Sequence, residues 1–290
     1  MIRLPAQTRW ELALIAVCAF WGYTFVIIKD ALERMPPFLY LGIRFTLGAL
    51  ALALVGGLAG LTKRELRIGA IIGVVLFAGY GFQETGLQYT SASNAGFITG
   101  LFVVLTPVVG ALALRRLPSP IAAGSVVLAT AGLVLLAMPD RLGLNKGDAF
   151  ELLCALLFAV HILMLGRLTK GLSALRLATV QLGVTALLST AVSVSVEQTG
   201  FDTTDGFLWF VLLVTGIGAS AIAFFVQTRA QQYISPTRTA VILSAEPVFA
   251  GVAAALFAGD RIGTRGFFGA LLIMIGIVAA AALGQANEDL

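Results

Sequence analysis

Charge is scarce in this sequence. Only 12% of its 290 residues are Asp, Glu, Lys or Arg, where a soluble domain carries about 25%. With 59% hydrophobic residues and a mean hydropathy of +0.96, the chain cannot cover itself with polar surface and must face lipid. One His and two Cys are too few for a structural zinc site. Cys18 and Cys154 lie inside apolar runs and read as small buried hydrophobes, not a disulfide. No GxxxxGK[ST] stretch occurs, so no P-loop nucleotide site is expected, and any work the chain does would draw on a proton or solute gradient. Alternation of period two is missing, which excludes a barrel. The net charge of +4 is small and dispersed, unlike a nucleic-acid groove. No metal, cofactor or nucleic acid is expected.

What the chain has is long apolar runs. A helix needs about 20 such residues to cross the hydrocarbon. Candidate spans are 10–28, 38–58, 68–88, 94–114, 119–138, 147–165, 174–196, 207–228, 238–257 and 265–284. Breakers fill the connections: Pro36–Pro37, Thr62–Lys63–Arg64, Arg115–Arg116 with Pro118 and Pro120, Pro139–Asp140, and 200–205. The first run follows Arg3 and Arg9 as a signal peptide would, but it is long for one and similar runs follow, so it is expected to be retained. With the N-terminus inside, twelve Lys and Arg fall on the inner side and six on the outer, with Arg44 within a span. That bias predicts two cytoplasmic termini. Trp10, Tyr40 and Trp209 lie at span ends and read as interfacial anchors.

One stretch occurs twice. QYTSASNAGFITGLFVVLTPVVGALAL begins at Gln88, and QYISPTRTAVILSAEPVFAGVAAALF begins at Gln232, 144 residues later. Gln83 and Gly132 meet Gln227 and Gly276 at the same spacing, and Trp21 meets Phe158 at 137. Pro107 and Pro247 are 140 apart, so the second proline comes one helical turn early. Five spans per half is an odd number, so the second half enters the membrane inverted. The expected fold is an all-α integral membrane protein of ten transmembrane helices in two inverted five-helix repeats. The expected division is 1–138 for the first repeat, 139–146 for a linker, 147–284 for the second and 285–290 for a cytoplasmic tail. Inverted repeats place a site at their interface near the midplane. Pro107 and Pro247 would bend two corresponding helices, as a gate or as static kinks. Gly56–Gly60, Gly69–Gly73 and Gly96–Gly100 are small-xxx-small pairs suited to close helix packing.

Ten spans, the inverted duplication, Trp21–Gly22 followed by Phe25, Arg44, the Gln88–Ala95 stretch and Glu246–Pro247–Val248 together resemble the drug/metabolite transporter superfamily, EamA family. The chain also resembles the bacterial aromatic amino acid exporters of the YddG type. The resemblance covers about residues 10–137 and 147–284. It implies export of small metabolites, often amino acids, across the inner (cytoplasmic) membrane. One departure stands out: Thr106 precedes Pro107 where Glu246 precedes Pro247, so no symmetric carboxylate pair exists.

Ionisable residues in spans are costly and face the bundle interior. Glu246 could carry a proton, attract a substrate ammonium, or bond to a neighbouring helix. Arg44 and Glu84 could pair with each other, or Arg44 could receive a substrate carboxylate. His161 could gate or relay a proton near neutral pH, or hydrogen-bond to another helix. Tyr80 and Gln83 share a helix face, and Gln227 is the counterpart of Gln83. Trp21, Tyr23, Tyr80, Gln83, His161, Gln227 and Glu246 are therefore the expected cavity residues. Rings with a few amides suit an amino acid bearing an apolar or aromatic side chain. Alternatives are export of another metabolite or drug, a channel, or an intramembrane enzyme built on Gly218–Ala219–Ser220 with His161 as base. No repeated filter motif supports a channel. Neither HExxH nor GxSxG occurs, so no enzyme is expected. Ten spans can enclose a cavity within one chain, which predicts a monomer.

Overall fold

Lipid offers no hydrogen-bond partner, so a chain this apolar must satisfy its backbone internally. The computed structural model describes residues 5–90, 92–115, 117–137, 145–198, 200–257 and 263–283, and every regular element among them is helical. The helices are α1 (Ala6–Leu32), α2 (Pro37–Leu52), α3 (Lys63–Leu87), α4 (Ala92–Gly100), α5 (Phe102–Leu114), α6 (Pro120–Ala137), α7 (Lys146–Leu168), α8 (Ala174–Val196), α9 (Gly206–Leu213), α10 (Ala223–Ala230), α11 (Pro236–Leu243), α12 (Glu246–Phe257) and α13 (Thr264–Leu283). Among the described residues, six runs are long and apolar enough to cross a membrane: Pro37–Gly57, Lys63–Leu87, Ala95–Ala113, Lys146–Leu168, Ala174–Val196 and Gly206–Ala230. Pro120–Leu135 and Thr264–Ala280 are apolar but shorter. Residues 139–144 of the expected linker and the tail 285–290 lie outside the described residues.

Helix starts are set by caps. Helix α3 begins five residues before its expected start because Thr62 and Glu65 close a capping box. Asn145 and Asp148 do the same for α7, so the expected linker ends inside a helix start. Pro36 supplies no cap for α2; instead the Glu197 carboxylate, just past α8, accepts from the N–H groups of Phe38 (2.8 Å) and Leu39 (2.9 Å). Asp205 caps α9 and pairs with Arg34 at 2.9 Å. Its hydrogen bond to Arg34 holds the Asp205 carboxyl below the usual carboxylate range. The cap's contribution is therefore whole above that range and is lost as pH falls through the lowered value.

Four expected spans are not continuous helices. The run after α2 widens over 53–57 and turns at Gly56, whose φ of +96° favours glycine. The run between α9 and α10 is a wide π-type helix over Val214–Ile222. Helix α4 gives way to α5 at Leu101, and α11 to α12 at Ser244–Ala245. Neither proline stands at a break. Pro107 lies inside the continuous α5, and Pro247 lies in the first turn of α12, after its break. The breaks themselves keep the 144-residue spacing. Leu101 N–H donates to Ile98 and Leu105 N–H to Leu101; Ala245 N–H donates to Ile242 and Phe249 N–H to Ala245. Leading into them, Tyr89 and Thr90 both donate to Gly86, as Tyr233 and Ile234 both donate to Ala230. Helix starts follow suit: Ala92 with Pro236 and Pro120 with Thr264 at 144, Pro37 with Ala174 at 137.

The largest helix pairings are α6 with α13, α2 with α8, and α3 with both α7 and α8. Glycine sets the closest ones. A Cβ on Gly132 would lie 2.5 Å from the Gly269 carbonyl and 2.8 Å from the Ile273 nitrogen, backbone atoms of α13 that cannot step aside. Gly276 returns the contact against Ser125 and Ala129 of α6. Gly69–Gly73 packs on Val180 and Gln181 of α8, as a small-xxx-small pair should. Gly56 and Gly60 do not pack; both hold left-handed backbone. Gly132→Ala is expected to cost about 1–3 kcal/mol by overpacking, read as a fall in Tm in detergent. Gly124→Ala, where a Cβ meets nothing within 4 Å, is expected to leave Tm unchanged. Equal Tm for the two variants would remove the close α6–α13 contact from this account.

Candidate functional site

A cavity of about 510 Å³ occupies the centre of the bundle, a size that holds a small metabolite. Its walls follow helical periodicity. Helix α1 contributes Trp21, Thr24, Ile28 and Leu32, and α3 contributes Leu76, Tyr80, Gln83, Glu84 and Leu87, each set spaced three to four residues apart on one face. Glu33 and Gln88 are exposed at the rim, so the cavity reaches the surface where α1 and α3 end. The opposite end is solid. There Leu14, Ile234 and Leu243 are buried in one apolar cluster, and Arg238 and Glu11 form a buried ion pair at 2.5 Å. Gln231 Nε2 donates to the Ile162 carbonyl (2.7 Å), and Gln232 Nε2 donates to Thr169 and Leu172. Trp10 stacks on Tyr233.

The cavity centre is an aromatic box. Tyr80 meets Phe158 edge-on (5.4 Å) and Phe224 (6.3 Å), and Phe224 meets Trp21 (5.7 Å). The two ring pairs correspond: Tyr80 and Phe224 are 144 apart, Trp21 and Phe158 are 137 apart. Trp21 is fixed by its Nε1, which donates to the Ala219 carbonyl at 2.8 Å. That carbonyl belongs to the π-type segment, where widening leaves carbonyls without their usual helical partner.

Arg44, 3% exposed, stacks over Phe45 and Tyr80 at 5.2 Å from each ring centroid. Its Nε donates to Ser220 Oγ at 2.9 Å, again in the π-type segment. Arg44 and Glu84 both line the cavity, yet no ion pair joins them among the described residues. The expected charge pair is thus not formed, because Arg44 is held by rings and a hydroxyl. Glu84 keeps one buried oxygen, Oε2, without a hydrogen-bond partner, a costly state in a dry site. Glu246 lines the cavity from the first turn of α12.

His161 lines the cavity and sits at the head of a relay. Its Nε2 lies 3.0 Å from Gln181 Oε1, which can only accept, so that nitrogen carries hydrogen. Gln181 Nε2 donates in turn to Thr228 Oγ1 (3.0 Å). Ser220 and His161 bond elsewhere, to Arg44 and Gln181, and form no nucleophile–base pair. Gln83 and Gln227 both line the cavity. Pro107 and Pro247 are not among its lining residues. Neither is Tyr23, which is 37% exposed. Two residues along a helix turn about 200°, so Tyr23 faces away from the wall that Trp21 occupies. Phe25 has a side chain outside the described residues.

Sequence reasoning missed Gln181, Thr228 and Glu151 as site neighbours, and weighed Ser220 only as an enzyme's nucleophile, not as the partner of Arg44. Serine, threonine and glutamine in apolar runs carry no spacing signal of their own. Glu151 did carry one, a charge inside a span, the same signal that marked Glu246. Gln181→Leu is expected to strand His161 Nε2–H and the Thr228 hydroxyl, costing about 1–3 kcal/mol each, with a matching fall in Tm. Gln181→Glu, which keeps one acceptor, is expected to lose less; the reverse order would exclude the relay.

A family model of EamA-like transporters matches residues 8–138 and again 145–281. An uncharacterized transporter of Archaeoglobus fulgidus is 33% identical over 268 residues, covering 92% of this chain and 84% of that protein. The uncharacterized transporter YcxC of Bacillus subtilis is 25% identical over 291 residues, covering 94% and 93%. A solved protein structure superposes with a TM-score of 0.81 at 22% identity, over 97% of this chain and 99% of that one, which is a likeness of fold. On the family match, which spans both halves, this chain belongs to the EamA-like transporter family and is a multi-pass membrane protein.

Proposed function

We propose that the chain is a secondary transporter that exports amino acids with apolar or aromatic side chains across the cytoplasmic membrane. The observation that carries this reading is the central cavity, open at one end, with an aromatic box beside Arg44 on one hand and Glu84 and Glu246 on the other. An amino acid needs a cation for its carboxylate, an anion for its ammonium and an apolar wall for its side chain, all within one small volume. A differently built metabolite or drug is the second reading, and the family admits it.

Ten spans in two inverted halves, with both termini cytoplasmic, are part of the proposal. The ten are α1, α2, α3, α4–α5, α6, α7, α8, α9–α10, α11–α12 and α13. Helix contacts support the inversion. Exchanging the halves turns the α3–α7 contact into α1 with α10, and the α3–α8 contact into α2 with the π-type segment. It turns α1–α12 into α7–α5 and leaves α2–α8 and α6–α13 as they are; all of these contacts occur. With the N-terminus inside, the open end faces outward and the Glu11–Arg238 end is the closed cytoplasmic gate. Alternating access then consists of opening that gate while the other end closes. The cavity is enclosed within one chain, which favours a working monomer.

Flux of labelled phenylalanine, leucine and tryptophan into sealed proteoliposomes tests the substrate class, and saturation is expected. Arg44→Gln is expected to cut phenylalanine flux about tenfold or more, the worth of a charged hydrogen bond of 1.5–3 kcal/mol. Phenethylamine, which has no carboxylate, is expected to change less than about twofold in the same variant. An equal loss for both would make Arg44 structural, and no flux of any amino acid would favour the second reading. Glu11→Gln is expected to open the cytoplasmic end, read as several-fold faster thiol labelling of a Leu14→Cys reporter. Unchanged labelling would remove the ion pair from the gate.

A further inference from the structure

Glu151 lies in α7, is 0% exposed, and does not line the cavity. It nevertheless touches the cavity through one residue. Thr99 of α4 lines the wall, and its hydroxyl donates to Glu151 Oε2 at 2.6 Å. The second carboxyl oxygen, Oε1, is buried and has no hydrogen-bond partner. It points at α3 beside Gly86, where a Cβ would come within 2.6 Å of it. The ionisable groups around it offer no counter-charge. Helix α3 presents Glu84, and α7 itself presents Asp148 and, one turn on, the thiol of Cys154. Helix α5 contains no titratable residue, and α11 contains one, Arg238, which pairs with Glu11. No group of His, Cys, Asp and Glu suited to a metal ion occurs among the described residues.

A buried carboxyl that has, among the described residues, an acid for a neighbour, no cation, one free oxygen and a single hydroxyl leading to water is built for one small ligand. We propose that Glu151 is a proton-binding site, reached from the cavity through Thr99, and that its loading couples export to a proton gradient. This rests on the transporter reading above. In the loading step a proton from cavity water binds the Thr99 oxygen while the Thr99 proton passes to Glu151 Oε2. One O–H bond breaks as another forms, and release runs the same path backwards. Thr99 sits two residues before the break at Leu101, so movement of α4 against α7 makes or breaks the one hydrogen bond that the carboxylate receives among the described residues. Proton occupancy and the position of α4 are thereby linked.

The first test needs no substrate. Infrared difference spectra of the protein in lipid are taken on stepping the pH upward. A protonated-carboxyl band is expected to disappear in the unaltered protein, to be absent in Glu151→Gln and to shift in Thr99→Val. A band unchanged in Glu151→Gln overturns the site. The second test compares phenylalanine efflux driven by a pH gradient with phenylalanine exchange at equal concentrations on both sides. Glu151→Gln is expected to lose most of the gradient-driven flux while exchange falls less than about twofold, since exchange moves no net proton. Gradient-driven flux that survives in Glu151→Gln overturns the coupling even where the infrared band confirms the site. If phenylalanine is not carried at all, the substrate reading fails, and an infrared band that follows Glu151 still upholds the proton site.

Discussion

Irregular backbone inside lipid is stable only where every freed carbonyl and N–H finds a partner within the protein. The architecture follows from that constraint. The described helix breaks within apolar runs fall over 53–57, at Leu101, at Ser244–Ala245 and along Val214–Ile222, and the last three lie beside residues of the cavity wall. Each is met by a local bond or by a neighbouring side chain. Ser244 Oγ returns its hydroxyl to the Val241 carbonyl, and Thr106 Oγ1 to Phe102. The π-type segment supplies a carbonyl for Trp21 and a hydroxyl for Arg44. The π-type segment, where the backbone departs from a regular helix, is thus where this part of the cavity wall is anchored. Continuous helices would have left Trp21 and Arg44 without these anchors.

The two halves share a backbone register but differ in chemistry. At the common spacings Tyr80 stands against Phe224 and Trp21 against Phe158, so rings are kept on both sides of the cavity. Charge is not kept. Arg44 corresponds to Gln181, Glu84 to Thr228 and Glu246 to Phe102. A symmetric aromatic box with one-sided charge can hold a ligand whose polar end has a direction while its apolar end does not. The packing glycines belong to the shared part: Gly132 and Gly276 press α6 and α13 together from both sides.

Much of this was legible in the sequence, for reasons that can be stated. Apolar run length marks helices that lipid demands, and each of the ten expected runs is occupied by helix. Polar residues in those runs are so costly that they converge on the interior, which is why Trp21, Tyr80, Gln83, Glu84, Arg44, His161, Gln227 and Glu246 share one cavity. Tyr23 was misplaced because it was chosen by residue type, and helical phase turns it outward. The breaks at Leu101 and Ser244–Ala245 were not read from the sequence, because proline marks where a hydrogen bond is missing and not where a helix ends. Register, set by packing around Gly100 and the α11–α12 turn, keeps its 144 spacing while the prolines slip by a turn. That no ion pair joins Arg44 to Glu84 among the described residues could not be read, because stacking on rings competes for a guanidinium and depends on tertiary position.

The same correspondence bears on why the cavity opens at one end. Leu14, Ile234 and Leu243 plug the closed end, and their counterparts at the open end are Glu151, Thr90 and Thr99. Glu11, paired with Arg238, corresponds to Asp148. One end therefore closes by burying apolar surface around an ion pair of opposite charges. The other end holds Glu151, Asp148 and Glu84, all buried and within electrostatic reach of one another. Packing these acids more tightly is opposed by desolvation until charge is removed or neutralised. Under the proposed topology and proton loading, an open outer end and a positive ligand that lets it shut would have this one cause. The duplicated scaffold has kept hydrophobic side chains at one gate and has placed acids at the other.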